Sequence, residues 1–342
     1  MNLRSRQKGL SLVELMVSIT LGLLILSGVL VVFVNTSAAR NEVERTSRQI
    51  ENGRFASEVL ADDLRLAGFY GELNVGPLPA PAALPVDPCS LSVADWNSWI
   101  PVHIQGYDEG AGLAATTCVL PNLKPNTDVL VIRRVRTCVA GVAGCEATAN
   151  GKPYIQVSLC SSQTTAHKLG LEGTETFDRQ KKTCVSTELA GKREYVVRIY
   201  FISTDNGAGE NVPTLKRLEL TGAGWNEVPL VEGIEEFQMR YGLDTDGDGV
   251  PDVYAANPSD YPAGACAGNC PRDNWMNVVT AQFHVLARNL ELSPSYTDSK
   301  TYRLGKDAAG ADIEVTPGLG YRRHVYSSLI RIANPSGRRD TP

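Results

Sequence analysis

Between residues 244 and 252 the chain reads Asp-Thr-Asp-Gly-Asp-Gly-Val-Pro-Asp, which sets carboxylates at loop positions 1, 3, 5 and 9 and a glycine at position 6. In a tight turn with this spacing Asp244, Asp246, Asp248 and Asp252, with the Val250 carbonyl at position 7, can converge on one hard cation, and calcium is the cofactor the pattern suggests. Position 12 is Ala255 instead of the bidentate glutamate of an EF-hand, and a strand-like run, not a helix, precedes the loop. The expectation is a weak calcium loop of the extracellular-module kind, with Kd on the order of 10⁻⁴ M. The plainer alternative is a solvated acidic turn between two strands.

A second constellation lies at the other end. Arg4, Arg6 and Lys8 precede Gly9, and residues 10–34 follow as an apolar run whose one ionisable side chain is Glu14. At ~1.5 Å per residue a helix over this run covers about 37 Å, more than the ~30 Å of a hydrocarbon core. The basic flank predicts a cytoplasmic N-terminus, with the rest of the chain across the membrane. A secretory signal is cut after its apolar stretch. Here the cut suggested by Lys8-Gly9/Leu10 comes before it, so trimming removes the charged leader and keeps the helix. A carboxylate inside an apolar helix costs roughly 2.5–3.5 kcal/mol and calls for a partner. As fifth residue of a chain starting at Leu10, Glu14 could take the freed α-amino group of a neighbouring subunit.

The sequence shows no G-x-S-x-G elbow, P-loop, H-E-x-x-H or dinucleotide fingerprint, so an enzyme is not expected. Net charge is −5, and −8 once the three leader cations are gone, which argues against a nucleic-acid surface. Two short basic clusters, Arg133-Arg134-Val135-Arg136 and Arg338-Arg339, read as solvated strand ends. All eight cysteines lie beyond the apolar run: Cys89, Cys118, Cys138, Cys145, Cys160, Cys184, Cys266 and Cys270. An even count on the oxidising side of a membrane reads as disulfides. Sequence does not fix the connectivity, and the simplest pairing is sequential. Zinc is disfavoured, since there is no Cys-x-x-Cys and the four histidines are scattered.

The elements that must carry these groups follow from pattern. Residues 35–68 lack proline and continue the helix signal, with a stripe at Val43, Ile50, Phe55, Val59, Leu60, Leu64 and Leu66. Gly53 marks a bend or, by preference, close packing, and Gly68 a C-cap. Five prolines between residues 76 and 88 predict an extended connector over 69–88. Residues 89–191, with six cysteines, read as a stapled insertion with a thin core of its own. In residues 192–342, strands are expected over 193–204, 214–220, 231–241, 277–288 and 325–333, with reversals at Gly207/Gly209 and Gly222-Ala223-Gly224. The fold class is α+β, a long N-terminal helix against an antiparallel sheet.

Lys8-Gly9-Leu10-Ser11-Leu12-Val13-Glu14-Leu15 resembles the leader of type IV pilins and of type II secretion pseudopilins. The resemblance implies a leader over 1–9, a membrane or filament-core helix over 10–34, and an exposed half-helix over 35–68. It implies cleavage after Gly9 by a prepilin peptidase and methylation of Leu10, although phenylalanine is commoner there. Glu14 would then be the acid that docks subunits. Asp63-Leu64-Arg65-Leu66-Ala67-Gly68 looks like the D-x-R-x-A-G stretch of PilW-type minor pilins, and the C-terminal strands are similar to that family's too. The expected fold is thus pilin-like with a disulfide-rich insertion. The expected function is a minor pilin in type IV pilus initiation and assembly, near the tip, serving twitching motility. Its expected partners are other minor pilins, the major pilin, the prepilin peptidase, the inner membrane and a tip adhesin. The alternatives are a J-type minor pseudopilin or a membrane-anchored adhesin.

Overall fold

Helix α1 (Leu12–Leu66) runs through the boundary between the two units into which the chain divides, residues 1–48 and 49–342. The computed structural model describes residues 9, 11–82, 87–261, 270–294 and 296–339. In the first unit the apolar side chains from Leu12 to Val34 are exposed, Leu12 by 76% and Phe33 by 69%. This segment is long and apolar enough to cross a membrane. The hydroxyls of Ser18, Thr20 and Ser27 donate to helix carbonyls three or four residues back, which suits them to an apolar medium.

The remaining elements form the second unit. In chain order they are α2 (Val93–Ser98), β1 (Ile104–Tyr107), β2 (Val129–Val135), β3 (Pro153–Val157), β4 (His167–Leu171), β5 (Lys192–Ser203), β6 (Thr214–Leu220) and β7 (Trp225–Glu232). They continue with β8 (Ile234–Leu243), β9 (Val253–Ala255), α3 (Cys270–Met276), β10 (Val278–Arg288), β11 (Tyr302–Lys306), β12 (Asp312–Val315), β13 (Arg323–Arg331) and α4 (Ala333–Arg339). Strands β1 to β7 make one sheet, in which the twelve-residue β5 pairs with β2, β3 and β6. A second sheet has the order β13-β10-β8-β9, and β11 and β12 form a hairpin. Every pairing is antiparallel. The long strand expected over 231–241 is two strands, because Gly233, at φ +78°, breaks it where the chain leaves one sheet for the other.

Stretch 89–191 does not form a core of its own. It contributes β1 to β4 to the sheet that β5 organises, and both faces of that sheet are buried. In β5, Tyr195, Val197, Ile199 and Phe201 face one core with Trp96 and Ile100, while Tyr200 and Ile202 face the other, as the period of two requires. Ahead of the proline-rich stretch, Tyr70, Leu73 and Val75 are buried in the first of these cores, and the described residues of 76–88 form neither helix nor strand. In the first of the clusters expected to be solvated only Arg136 is exposed: Arg133 is 0% exposed and Arg134 7%. Disulfides join Cys89 to Cys118, Cys138 to Cys145 and Cys160 to Cys184. Cys266 lies outside the described residues, as does the side chain of Cys270, so the fourth expected pair does too.

The docked face of α1 differs from the expected stripe. Val43, Ile50 and Phe55 are exposed, and the buried face is Gln49, Gly53, Ala56, Leu60, Ala61, Asp63 and Leu64. Gln49 and Asn52 donate to the carbonyls of Ala287 and Glu232 at 3.0 and 3.1 Å, polar contacts that an apolar-stripe search overlooks. A Cβ on Gly53 would stand 2.1 Å from the Tyr326 ring, so this glycine is a close-packing site. Gly68, at φ +71°, ends the helix and donates to Arg133 O at 3.0 Å.

Asp63 is 3% exposed and receives Arg134 Nη2 at 2.8 Å, Arg198 Nη1 at 2.7 Å and the Tyr200 hydroxyl. Burial raises its pKa, but Arg134, Arg198 and the Tyr200 hydrogen bond outweigh this and hold it below the usual carboxylate value. Its stabilising effect is therefore present above the unfolded pKa of ~3.9 and fades as pH falls through the lower folded value. Asp63→Asn is expected to destabilise the folded unit by about 3–5 kcal/mol, because it leaves two guanidiniums without their shared acid. Thermal unfolding at pH 7 measures the loss, and the gap between variant and parent should narrow as pH falls below ~3.9 toward the lower folded pKa. Gly53→Ala should cost about 1–3 kcal/mol by the same measurement, with Tyr326→Ala restoring part of it in the double variant.

Candidate functional site

The N-terminal site begins with a cap. Ser11 Oγ accepts the N–H groups of Val13 at 3.2 Å and Glu14 at 3.4 Å, and a Glu14 carboxylate oxygen accepts the Ser11 N–H at 3.2 Å. This reciprocal S-x-x-E arrangement is a capping box, which satisfies donors that the first helical turn leaves open. It also puts the negative side chain at the positive end of the helix dipole. Gly9, the expected last residue of the leader, is exposed, and Leu10 lies outside the described residues. The role of Ser11 was missed by a reading centred on Glu14, although its spacing to Glu14 is visible in the sequence.

The acidic loop joins β8 to β9 in the second sheet. Asp244, at the end of β8, is buried, and its carboxylate accepts Gly247 N–H at 2.6 Å and Gly249 N–H at 2.9 Å. Asp252 accepts both the N–H and the hydroxyl of Thr245 at 2.7 Å. Oxygens of Asp244, Asp246 and Asp252 lie within 4.8 Å of one another, close enough to share one cation. Asp248 is outside that trio, and its carboxylate accepts the Val250 N–H at 2.8 Å. Val250 itself is exposed.

Arg339, on α4, supplies what the sequence could not. Its Nη1 lies 3.0 Å from Asp244 Oδ2, and Nη2 donates to Met276 O and Asn277 Oδ1. Burial raises the Asp244 pKa, but Arg339 and the glycine N–H groups more than offset this and keep it low. The pKa of Asp252 is lowered by the Thr245 N–H and hydroxyl. Both carboxylates are thus anionic at neutral pH, and one of them already faces a cation. Nothing in the local sequence signals Arg339, which stands 95 residues from Asp244.

Comparison with family models gives two matches. Residues 199–334 match the type IV pilus-assembly protein W family, PilW, and residues 4–30 match the prokaryotic N-terminal methylation motif. Comparison with curated proteins and with solved structures gives no match. The first span covers β6 to β13 and the C-terminal end of β5 from residue 199, and includes the acidic loop, while the second contains Gly9, Ser11 and Glu14. Together they support a minor pilin of the type IV pilus and suggest a structural rather than catalytic protein. At both ends, therefore, the chain matches a PilW-type pilin that carries a prepilin leader.

Proposed function

We propose that the protein is a low-copy pilus subunit that a prepilin peptidase trims between Gly9 and Leu10, methylates at Leu10, and leaves anchored in the inner membrane by α1 until assembly. In this reading the N-terminus begins in the cytoplasm and residues 49–342 occupy the periplasm, then the outside of the cell near the pilus tip. Other minor pilins and the major pilin bury the apolar face of residues 12–34 in a helix bundle. Glu14 takes the Leu10 ammonium of a neighbouring subunit while Ser11 holds it at the first turn. The observation that supports this most is the coincidence, on one chain, of the methylation motif over residues 4–30 with a capping box built from Ser11 and Glu14. The exposed apolar helix gives the energetic reason, since each Leu, Ile, Val or Phe kept from water is worth ~1.5–3 kcal/mol, so the segment must stay in lipid before assembly and in a helix bundle after it.

Glu14→Ala tests it. The variant should reach the membrane at wild-type level, yet its amount in sheared, purified pili measured by mass spectrometry should drop about tenfold or more, as the cost of an unpaired amine in an apolar bundle implies. Incorporation at the wild-type level would overturn the Glu14 pairing, and absence of the unmodified chain from purified pili would instead favour an anchored adhesin.

For the acidic loop we propose a weak calcium site in which Asp244, Asp246 and Asp252 provide the carboxylates and Arg339 competes for Asp244. The convergence of three carboxylates supports this reading. When bound, calcium would supply the positive charge that cross-links the two ends of the loop. Titration calorimetry of the full chain in detergent should give a Kd on the order of 10⁻⁴ M. Asp246→Ala/Asp252→Ala should abolish the heat, and an intact protein that gives none would leave the loop as a solvated turn.

A further inference from the structure

Arg133 sits in β2 with its main chain fully engaged: its N–H donates to His103 O at 2.9 Å, and its carbonyl accepts the Gly68 N–H that ends α1. Its side chain is wholly buried. Nη1 donates to Val102 O at 3.2 Å, Nη2 donates to Gln105 Oε1 at 3.1 Å, and the Trp99 ring centre lies 5.4 Å from the guanidinium carbon. All of these partners are neutral. Arg134, Arg198 and Arg323 each face a carboxylate at 2.7–3.0 Å, whereas Arg133 has no ion pair among the described residues.

Three buried donors around it are unused. Arg133 Nε, Tyr70 Oη and Tyr195 Oη make no hydrogen bond, and the rings of Tyr70 and Tyr195 are 2% and 0% exposed. Burial raises the pKa of both phenols, that of Tyr70 well above its ordinary value and that of Tyr195 to about 12, so both keep their protons at neutral pH. Tyr195 on β5 is paired with Val135, which lies on the same face of β2 as Arg133, and Phe69 O accepts the Val135 N–H, so Tyr70 follows directly beside that strand; both rings belong to the core that also holds Trp99. An unpaired buried cation is costly, and so is each orphaned donor. One small acceptor with a negative charge relieves all of these at once. A water molecule would bring two donors of its own and no charge.

We propose that Arg133 Nε, Tyr70 Oη and Tyr195 Oη form an internal binding site for a monatomic halide, of which chloride is the ordinary case. The ion ties the segment after α1, through Tyr70, to β2 and β5, and so steadies the strand whose carbonyl caps the helix.

Thermal unfolding of the full chain in non-ionic detergent, with chloride exchanged for gluconate at fixed ionic strength, tests this. The midpoint should rise by about 2–4 °C when chloride reaches ~10 times its Kd. The rise should vanish in Tyr70→Phe/Tyr195→Phe, which keeps both rings and removes both donors. Crystals grown in bromide should give an anomalous peak within hydrogen-bonding distance of Arg133 Nε. A wild-type midpoint indifferent to chloride, or a bromide map with only an ordered water at that place, overturns the proposal.

Discussion

Asp63 is a carboxylate on the buried face of a helix, where an apolar residue would be the default, and the packing of residues 49–342 is arranged so that it can be there. Two guanidiniums from adjacent strands, Arg134 on β2 and Arg198 on β5, and a hydroxyl from Tyr200 close around it. Burying one charge is expensive, and burying it with its partners in fixed positions is tolerable only in one register. Sliding the helix by one turn, ~5.4 Å, would leave three charges in an apolar interface. Gln49 and Asn52 reach the carbonyls of Ala287 and Glu232 in that same register, so polar contacts set where the helix lies while Leu60 and Leu64 supply its burial. Asp63 is also the first residue of the D-x-R-x-A-G stretch. Ala67, of the same stretch, is fully buried, and Gly68 has a Cβ position 3.0 Å from His103.

With the helix fixed, the first sheet can be buried on both sides. Its strands come from residues 104–232, so the cysteine-rich stretch is part of the main architecture. The disulfide between residues 138 and 145 closes a loop between β2 and β3, and that between 160 and 184 closes a loop that contains the short strand β4. They limit the freedom of chain that has few apolar contacts of its own. Gly233 then passes the chain to the second sheet, whose β8–β9 connection is the acidic loop. Arg339 reaches that loop from α4, so the end of the described chain and the loop share one electrostatic arrangement.

The two buried arginines next to each other in β2 show how far alternation separates neighbours. Arg134 points to the core shared with the helix and neutralises Asp63, whereas Arg133 points to the opposite core among aromatic rings and carbonyls. Under the proposed assembly role, steadiness of this region matters. β2 holds α1 by an ion pair from Arg134 to Asp63 and, just past its last turn, by the Arg133 carbonyl that accepts the Gly68 N–H.

Much was legible in the sequence because it rests on local chemistry. The length and apolarity of residues 10–34, the placement of Gly9 and Glu14, the C-cap at Gly68 and the strands over 192–203, 214–220, 278–288 and 323–331 all follow from composition and short-range period. The carboxylate spacing of the acidic loop was legible for the same reason, as was the sequential pairing of six cysteines as the simplest choice. What the sequence could not show depends on residues brought together from far apart. A polar helix face reads as solvent-facing until Arg134 and Arg198 arrive from 71 and 135 residues away to pair with Asp63. Arg133 and Arg134 read as a surface cluster until both faces of their sheet are covered. The loop's fourth carboxylate is excluded from its trio, and Arg339 is admitted, by backbone turns and packing that no motif encodes. Periodicity records which side of an element a residue is on; only the tertiary fold decides whether that side meets water, an apolar core or an opposite charge.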